Sequence, residues 1–483
     1  MSTIFSSRQF GILETSLRRK GARVFEVLTT SGPVVGHRHP QSPQCIRFLG
    51  IPFAAAPVGE LWLQAPVPPQ PWSEPRDCST PGPTPQKRPY SDDSLLKDES
   101  IPGTEILNLN VFMPENAEEA PVLVWIHGGG FKAGVALSPL SDGREFAKHG
   151  IVVVSISYRL GFEGFGWVEG APANRGLLDQ QVALRWVQDN ISNFGGDPNR
   201  VTIAGQSAGG GSVLAHLVME SSADLFARAI SMSGVLPPMP EKEAIRRANL
   251  VSAKFGVKPT LEALRPFADR IIEVEPDVER EIFSHWPGAA EFVAERLHGF
   301  PMSDLPFIPW QDEEILPISV MEGIRQGRGV DKPLLLTTTA EEFTNAMEFA
   351  GPMLNHLDPL EILREAKMDN PEQYLSNHPR AQTTVQVMGQ IVTDSFFTWP
   401  AQEIRTVRDT MGADTTYDLF TWYAAHDDPD LTQPEFQWSS HCVDLPFAWN
   451  LLDEPMAKLV VGDNPPQELA DRIHGLWVHF IKA

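Results

Sequence analysis

The stretch Gly205-Gln206-Ser207-Ala208-Gly209 lies between an apolar run at residues 201–204 and a helix-like run at residues 210–219. A strand, a serine flanked by small residues and a helix follow one another in this way in a nucleophile elbow. Small neighbours allow strand and helix to approach closely, and the serine oxygen then lies at the positive end of the helix dipole. The stretch therefore predicts a strand–turn–helix unit with an exposed, nucleophilic serine.

Further apolar, β-branched runs at residues 122–126, 151–156, 229–232 and 334–338 predict buried parallel strands. Helix-like segments at residues 144–149, 177–191 and 241–254 lie between them, and residues 466–481 predict a closing helix. Strands that alternate with helices are typical of a doubly wound, mostly parallel α/β sheet. Before residue 120 the sequence is rich in proline and predicts loops and antiparallel pieces, such as residues 23–29.

The length of 483 residues is compatible with several domains, but the strand and helix pattern favours a single α/β domain over residues 1–483. Residues 236–332 and 345–411 are helical and irregular in pattern. We predict that both segments are insertions that form a lid and pocket walls over the carboxyl edge of the sheet.

Composition excludes some functions. The chain has 39 Lys and Arg against 62 Asp and Glu, a net charge of −23, which argues against nucleic acid and anionic membrane surfaces as partners. No apolar run is long enough for a membrane span. The three cysteines provide no disulfide framework, and the first thirty residues have no apolar core of a secretory signal. We expect a cytoplasmic protein, and its oligomeric state stays open.

A glycine-rich loop, His127-Gly128-Gly129-Gly130-Phe131, follows the predicted strand at residues 122–126. Acyl transfer needs N–H donors for the negative oxygen of its tetrahedral intermediate, and such a loop can supply them. The predicted oxyanion hole consists of the backbone N–H groups of Gly129, Gly130 and Ala208. A merely flexible glycine loop is the alternative interpretation.

Several motifs together resemble the type-B carboxylesterases and lipases, the cholinesterase-like family of α/β-hydrolases. They are FLGIPFA (48–54), LNLNVF (107–112), YRLG (158–161), NRGLLDQ (174–180), ALRWV (183–187) and FGGDP (194–198). The resemblance implies the α/β-hydrolase fold and a serine esterase that needs neither a metal nor an organic cofactor. It also implies a small-molecule ester as substrate.

The partners of Ser207 should follow it in the order acid, then histidine. His441, with Asp444 three positions later, fits the histidine loop of the family. Glu342 follows the predicted strand at residues 334–338 and matches the family's catalytic glutamate. Because Phe343 stands where the family has glycine, Glu341 remains an alternative for the acid.

Three further residues are expected near the histidine: Ser233 and Asp444 match family positions, and Gln206 stands just before the predicted nucleophile. They are expected to influence catalysis through the histidine, with ordinary hydrogen bonding or solubility as the alternative. Arg159 and Asp179 match a buried salt bridge of the family and are interpreted as structural.

The sequence also departs from the cholinesterases. Gln206 replaces a glutamate, Asn345 and Ala346 replace aromatic residues, and the loop that starts at Cys78 contains no tryptophan for a cation–π contact. The family's disulfide partner of Cys78 is Ile106 here. We therefore do not expect acetylcholine as the substrate. The predicted substrate pocket comprises Phe131, Leu305, Phe307, Asn345 and Ala346, with core packing as the alternative.

The predicted function is hydrolysis of carboxylic esters through an acyl-enzyme on Ser207, with His441 and Glu342 completing the triad. An acyltransferase or cyclising enzyme that uses the same acyl-enzyme is the alternative. A non-catalytic, neuroligin-like binding protein is a third hypothesis, against which the complete set of Ser207, Glu342 and His441 argues.

Overall fold

The fold is built on one large sheet. A computed structural model describes residues 25–89, 98–284, 286–297, 305–424 and 437–483, so the expectation about a secretory signal lies outside the described residues. The described strands form an 11-stranded sheet with the order β1-β2-β3-β5-β7-β6-β8-β9-β10-β11, and β4 pairs with β2. The strands are β1 (Phe25–Leu28), β2 (Pro33–His39), β3 (Ser42–Pro52), β4 (Arg76–Asp77), β5 (Asn108–Pro114), β6 (Ala120–Ile126), β7 (Val152–Ile156), β8 (Gly196–Gln206), β9 (Arg228–Met232), β10 (Leu334–Thr339) and β11 (Thr415–Phe420).

The sheet is mixed, with a long parallel part. β1, β2, β3, β5 and β7 pair in antiparallel fashion. From β7 through β6, β8, β9 and β10 to β11, all pairs are parallel. The mostly parallel α/β sheet predicted from the sequence is thereby confirmed. Each predicted strand is present. Strand β8 begins five residues before the predicted run and extends further toward the amino edge of the sheet.

Helices cover both faces of the sheet. They are α1 (Arg144–Lys148), α2 (Gly161–Phe165), α3 (Arg175–Asn190), α4 (Ala208–Val218), α5 (Glu241–Ala253), α6 (Leu261–Leu264), α7 (Ile271–Ile282), α8 (Ala289–Leu297), α9 (Val320–Arg325), α10 (Gly351–Leu354), α11 (Pro359–Glu365), α12 (Pro371–Asn377), α13 (Thr384–Thr393), α14 (Trp399–Thr410), α15 (Leu445–Ala448), α16 (Pro455–Val461) and α17 (Gln467–Lys482). A π-helical turn, Asp394–Thr398, joins α13 to α14. Among the described residues, no helix has the length and apolar character to cross a membrane.

Two hydrophobic cores lie on opposite faces of the sheet. Along β6, Val122, Val124 and Ile126 pack in one core, whereas Leu123 and Trp125 pack in the other. Successive side chains of a strand point to opposite faces, so a strand that is buried on both sides is apolar throughout. This explains why the central strands read as continuous apolar runs rather than as an alternating pattern.

The two segments predicted as insertions contain most of the remaining helices. Residues 236–332 include α5 to α9, and residues 345–411 include α10 to α14. Phe292 and Val293 of α8 share a small separate core with Leu363 of α11 and Met388 of α13. The two segments therefore pack against each other although they are far apart in sequence.

A buried ion pair connects the loop after β7 to α3. Arg159 Nη2 lies 2.7 Å from Asp179 Oδ1, and the two side chains are 2% and 0% exposed. Asp179 Oδ2 also accepts from the backbone N–H and the Nε of Arg159, at 3.0 and 2.8 Å. Breaking one partner of such a pair leaves the other charge buried without compensation.

We predict that Asp179→Ala lowers the free energy of unfolding by about 3–5 kcal/mol, because the Arg159 charge stays buried without its partner. Urea unfolding measures the effect. The control is Lys148→Ala, which breaks the Lys148–Glu145 pair at a lysine that is 43% exposed; it should change the free energy by at most about 1 kcal/mol. Equal effects of the two variants would contradict the prediction.

Candidate active site

The predicted site residues follow the carboxyl ends of neighbouring parallel strands. Ser207 follows β8, Ser233 follows β9, and Glu342 lies three residues beyond β10. The loop that contains His441 is attached to the end of β11, because Ser439 Oγ donates to the Phe420 carbonyl at 2.9 Å. Because these strands are adjacent in the sheet, segments that are distant in sequence meet at one edge, where ligands of open α/β sheets bind.

Ser207 occupies a strained turn between β8 and α4. Its backbone has φ 58° and ψ −122°, a left-handed conformation that is uncommon for a residue with a side chain. The strain is held by hydrogen bonds on both sides: Ser207 N–H donates to the Met232 carbonyl at 2.9 Å, and the Ser207 carbonyl accepts from Gly211 N–H at 2.8 Å. Strain maintained by surrounding structure is a feature of functional sites.

The elbow requires glycine on both sides of the serine. A Cβ atom at Gly205 would lie 2.4 Å from the carbonyl carbon of Gly209, and a Cβ at Gly209 would lie 2.0 Å from the Ile126 carbonyl oxygen. Both distances are far below van der Waals contact. The small residues in the motif are therefore explained by the approach of α4 to β6 and β8.

His441 and Glu342 form a direct pair. His441 Nδ1 lies 2.6 Å from Glu342 Oε2, and His441 N–H donates to the Glu342 carbonyl at 2.9 Å. Burial by itself lowers the pKa of His441, but the neighbouring Cys442 sulfur and the Glu342 carboxylate raise it, and the net pKa lies well above its usual value. The carboxylate thus orients the imidazole and stabilises its protonated form.

Glu341 has a different environment, although it is adjacent to Glu342. Its Oε2 accepts from Arg380 Nη1 and from the Ser439 backbone N–H, both at 2.9 Å. Its carboxylate therefore fastens the histidine loop instead of contacting the imidazole. The geometry favours Glu342 over Glu341 as the acid beside His441.

Ser233 and Asp444 lie around this pair. Ser233 Oγ donates to Glu342 Oε1 at 2.6 Å, and the same oxygen accepts from Thr339 N–H at 2.8 Å. Asp444 is 2% exposed, and neither of its carboxylate oxygens has a hydrogen-bond partner among the described residues. Burial and the nearby Glu342 charge raise the pKa of Asp444 to about 7, so its carboxyl is protonated below neutral pH.

The hydrogen bond expected between Ser207 and His441 is not formed in this conformation. None of the hydrogen bonds among the described residues involves Ser207 Oγ. Instead, Gln206 Nε2 lies 3.1 Å from His441 Nε2 and donates to Cys442 Sγ at 3.2 Å. Catalytic hydrogen bonds in ligand-free enzymes are often completed only when substrate binds.

The glycine loop lies beside the serine. A Cβ at Gly128 would lie 3.2 Å from Ser207 Cβ, and Gly129 and Gly130 border the same cavity as Ser207 and Ala208. Within the part of the chain that the structure describes, no hydrogen bond uses the N–H groups of Gly129, Gly130 or Ala208. These three donors are therefore available to a ligand.

Two phenylalanines contact the His441 ring. The ring centres of Phe343 and Phe397 each lie 5.1 Å from that of His441, and the two phenylalanines stack on each other at 5.6 Å. Sequence reasoning assigned no role to either residue. The replacement of the family's glycine by Phe343 was a signal, whereas nothing local indicated Phe397, which lies on the π-helical turn before α14.

A cavity of about 770 Å³ borders Ser207 and His441. Of the five predicted pocket residues, Leu305 and Ala346 line it. Most of the other large side chains in its lining are apolar and come from both predicted insertions. They include Ile282, Phe283, Trp286, Phe292, Met347, Phe349, Val392, Phe396 and Phe397.

The other predicted pocket residues are placed elsewhere. Phe131 is fully buried against Phe165, with ring centres 5.0 Å apart, and Phe307 packs on Phe162 at 5.5 Å. Both lie in the core because these aromatic neighbours enclose them. Asn345 does not belong to the described lining, and its carbonyl accepts from Glu348 N–H at 3.2 Å.

Two other histidines of the described residues have environments unlike that of His441. His127 stacks on Tyr158 at 4.5 Å, and burial lowers its pKa to about 4. His378 lies 3.4 Å from Asp394, and His426 lies outside the described residues. No group of three or more His, Cys, Asp or Glu side chains in the described ranges could hold a metal ion.

Comparison with known proteins identifies the family of this chain. The sequence profile described as "Carboxylesterase family" matches residues 23–483. The chain belongs to the carboxylesterase family. This confirms the resemblance that the motifs indicated, and this carboxylesterase is accordingly a carboxylic ester hydrolase.

Relatives cover most of the carboxylesterase chain. The para-nitrobenzyl esterase of Bacillus subtilis (strain 168) is 31% identical over 456 residues, 90% of this chain and 86% of that protein. Acetylcholinesterase 1 of Caenorhabditis briggsae is 29% identical over 490 residues, 90% of this chain and 75% of that protein. A solved PNB esterase structure superposes with a TM-score of 0.76 at 28% identity and covers 95% of this chain and 90% of its own, which confirms the α/β-hydrolase fold.

We predict that Gly209→Ala destabilises the carboxylesterase by at least about 1–3 kcal/mol and lowers its esterase activity, because the added methyl group forces α4 away from β6. The matched control is Gly475→Ala in α17, where an added Cβ meets nothing within 4 Å; it should leave stability unchanged or raise it by up to about 1 kcal/mol. Thermal unfolding and p-nitrophenyl acetate turnover measure both. Identical unfolding midpoints would contradict the explanation of the motif.

Proposed function

We propose that the carboxylesterase hydrolyses its ester through an acyl-enzyme on Ser207, with His441 as general base and Glu342 as the acid that orients it. The 2.6 Å contact between His441 Nδ1 and Glu342 Oε2 carries the proposal. With Nδ1 protonated toward the carboxylate, Nε2 presents its lone pair as a proton acceptor. A serine hydroxyl needs such a base within hydrogen-bond reach to become nucleophilic.

In the first half of the reaction, Ser207 Oγ attacks the ester carbonyl carbon while His441 Nε2 takes the serine proton. The carbonyl oxygen becomes negatively charged, and the unoccupied N–H groups of Gly129, Gly130 and Ala208 stabilise it. One such donor contributes about a hundred- to a thousand-fold to the rate. His441 then donates its proton to the leaving alcohol as the C–O bond breaks.

In the second half, water attacks the acyl-enzyme. His441 removes a proton from the water, and the same three N–H groups hold the second oxyanion. The carboxylic acid leaves and Ser207 regains its proton. Each step uses residues of this chain alone. The family and its esterase relatives give no support to the acyltransferase and non-catalytic alternatives, and we do not propose them.

The cavity supports an uncharged ester with a large apolar group. Its lining is rich in aromatic side chains, and at its border Trp286 and Phe349 are 49% and 81% exposed. The name of the para-nitrobenzyl esterase suggests aromatic esters as a first class to assay. Gln206, Asn345 and Ala346 argue against acetylcholine, as the sequence predicted.

The contribution of both insertions to the cavity lining supports their role as lid and pocket walls. We propose that they belong to one α/β-hydrolase domain, because α8, α11 and α13 share a core and side chains of α7 and α8 reach the catalytic cavity. The cytoplasmic location stays a prediction from the sequence.

We predict that Ser207→Ala lowers kcat for p-nitrophenyl esters by a factor on the order of 10⁶ and abolishes labelling by a fluorophosphonate, because the nucleophile is removed. Substitution of the exposed Ser192 by alanine is the control and should preserve both readouts. Ester turnover or labelling of Ser207→Ala at the wild-type level would contradict the proposed nucleophile.

The acid assignment has a matched pair of variants. Glu342→Gln should lower kcat by about 10⁴-fold, because an amide no longer selects the right imidazole tautomer. Glu341→Gln, one residue away, should keep kcat within about tenfold, because its carboxylate fastens the loop through Arg380. Steady-state kinetics with p-nitrophenyl acetate measure both, and a larger loss in Glu341→Gln would reverse the assignment.

A further inference from the structure

The Gln206 side chain contacts His441 Nε2, the atom that accepts the serine proton in the proposed mechanism. Gln206 Nε2 lies 3.1 Å from His441 Nε2 and 3.2 Å from Cys442 Sγ. An amide NH₂ has two hydrogens, so one N–H serves each acceptor. In the neutral imidazole, whose Nδ1 proton is directed to Glu342, Nε2 accepts from Gln206 through its single lone pair. Ser207 Oγ cannot donate to Nε2 while this contact lasts.

The imidazole itself is fixed on its other sides. Glu342 holds Nδ1 at 2.6 Å and accepts from the backbone N–H of His441. The Phe343 and Phe397 rings each lie 5.1 Å from the His441 ring, tilted by 36° and 48°. A new partner for Nε2 is therefore gained by movement at residues 206 and 207, not by rotation of the histidine ring.

Gln206 is almost fully buried, at 3% exposure. Its side chain borders the cavity next to Ser207 and Gly128. Gln206 Oε1 lies 2.8 Å from the point that a Cβ of Gly128 would occupy, so the absence of a side chain at residue 128 accommodates the amide in its present position. Release of Nε2 requires the amide to turn toward this cavity.

We propose that Gln206 is a positioning residue that holds His441 Nε2 in the ligand-free enzyme and releases it to Ser207 Oγ when an ester enters the cavity. The inference rests on the proposed triad. It assigns to Gln206 a step that precedes nucleophilic attack: one hydrogen bond, from Gln206 to Nε2, is exchanged for another, from Ser207 to Nε2. No covalent bond changes in this step.

The proposal has a consequence for protonation. An N–H donated to Nε2 favours the neutral imidazole, so its removal raises the pKa of His441. The other titratable groups around the ring are Glu342 and Cys442, with Asp444 nearby; a substitution at residue 206 leaves all three in place but also removes the hydrogen bond to Cys442 Sγ. The acid limb of kcat/KM, which reports the free enzyme, then moves to higher pH.

The experiment compares wild type, Gln206→Met and Gln206→Glu. Methionine keeps the length of glutamine without an N–H donor. We expect an uncharged p-nitrophenyl phosphonate to modify Ser207 about fivefold faster in Gln206→Met at the pH plateau, the factor that corresponds to one net hydrogen bond. The acid limb of kcat/KM for p-nitrophenyl acetate should move up in pH. In Gln206→Glu it should move further, by about one unit, because the carboxylate favours the imidazolium.

Three results would overturn the proposal. Equal phosphonylation rates in wild type and Gln206→Met would mean that the amide does not hold Nε2. An unchanged acid limb would mean that Gln206 has a packing role only. A limb that moves to lower pH would mean that the amide presents its oxygen to a protonated Nε2.

Folding and function are checked separately. Thermal unfolding midpoints confirm that the variants are folded, and Gln206→Leu, which also lacks a donor, replaces Gln206→Met if the latter is unfolded. A wild-type enzyme that does not react with the phosphonate would refute the proposed nucleophile. A reactive wild type with an equally reactive Gln206→Met would refute only the role of Gln206.

Discussion

The close contact between α4 and the centre of the sheet is the constraint on which the site depends. The backbone of Gly209 passes so near the Ile126 carbonyl that a single methyl group would lie 2.0 Å from it. This proximity forces the chain through the strained conformation of Ser207. It also brings the start of α4 next to the glycine loop that follows β6, so one contact positions both the proposed nucleophile and the proposed oxyanion donors.

The electrostatics of the site depend on the buried carboxyl groups around the imidazole of His441. Glu342 accepts from Ser233 and Thr339 as well as pairing with His441, so its buried charge is stabilised by several donors. Asp444 has no such partners and is kept neutral more easily, with a pKa of about 7. Three acidic residues of the region, Glu341, Glu342 and Asp444, thus have three different environments and different roles.

Aromatic packing decides how far the histidine can move. Phe343 and Phe397 contact its ring from elements that are unrelated in sequence, and the π-helical turn Asp394–Thr398 positions the second of them. Turns of this kind inside helices occur frequently at functional sites. In our proposal, Glu342 and these rings orient the imidazole, and the Gln206 amide releases its Nε2.

The sequence by itself determined the fold class, the parallel strands, the elbow at Ser207, and the identity of Glu342 and His441 as candidates. The fold class, the strands and the elbow follow from local rules, since strand periodicity and glycine at a close approach are read along the chain, whereas Glu342 and His441 were indicated by the resemblance to the family. The sequence left open whether Glu341 or Glu342 is the acid. It assigned Phe131 and Phe307 to the substrate pocket, although both lie in the core, and it gave no sign of Phe397. Only the tertiary structure shows where these side chains lie, together with the Gln206 contact to His441, because each position depends on which side chains meet from segments that are distant in sequence.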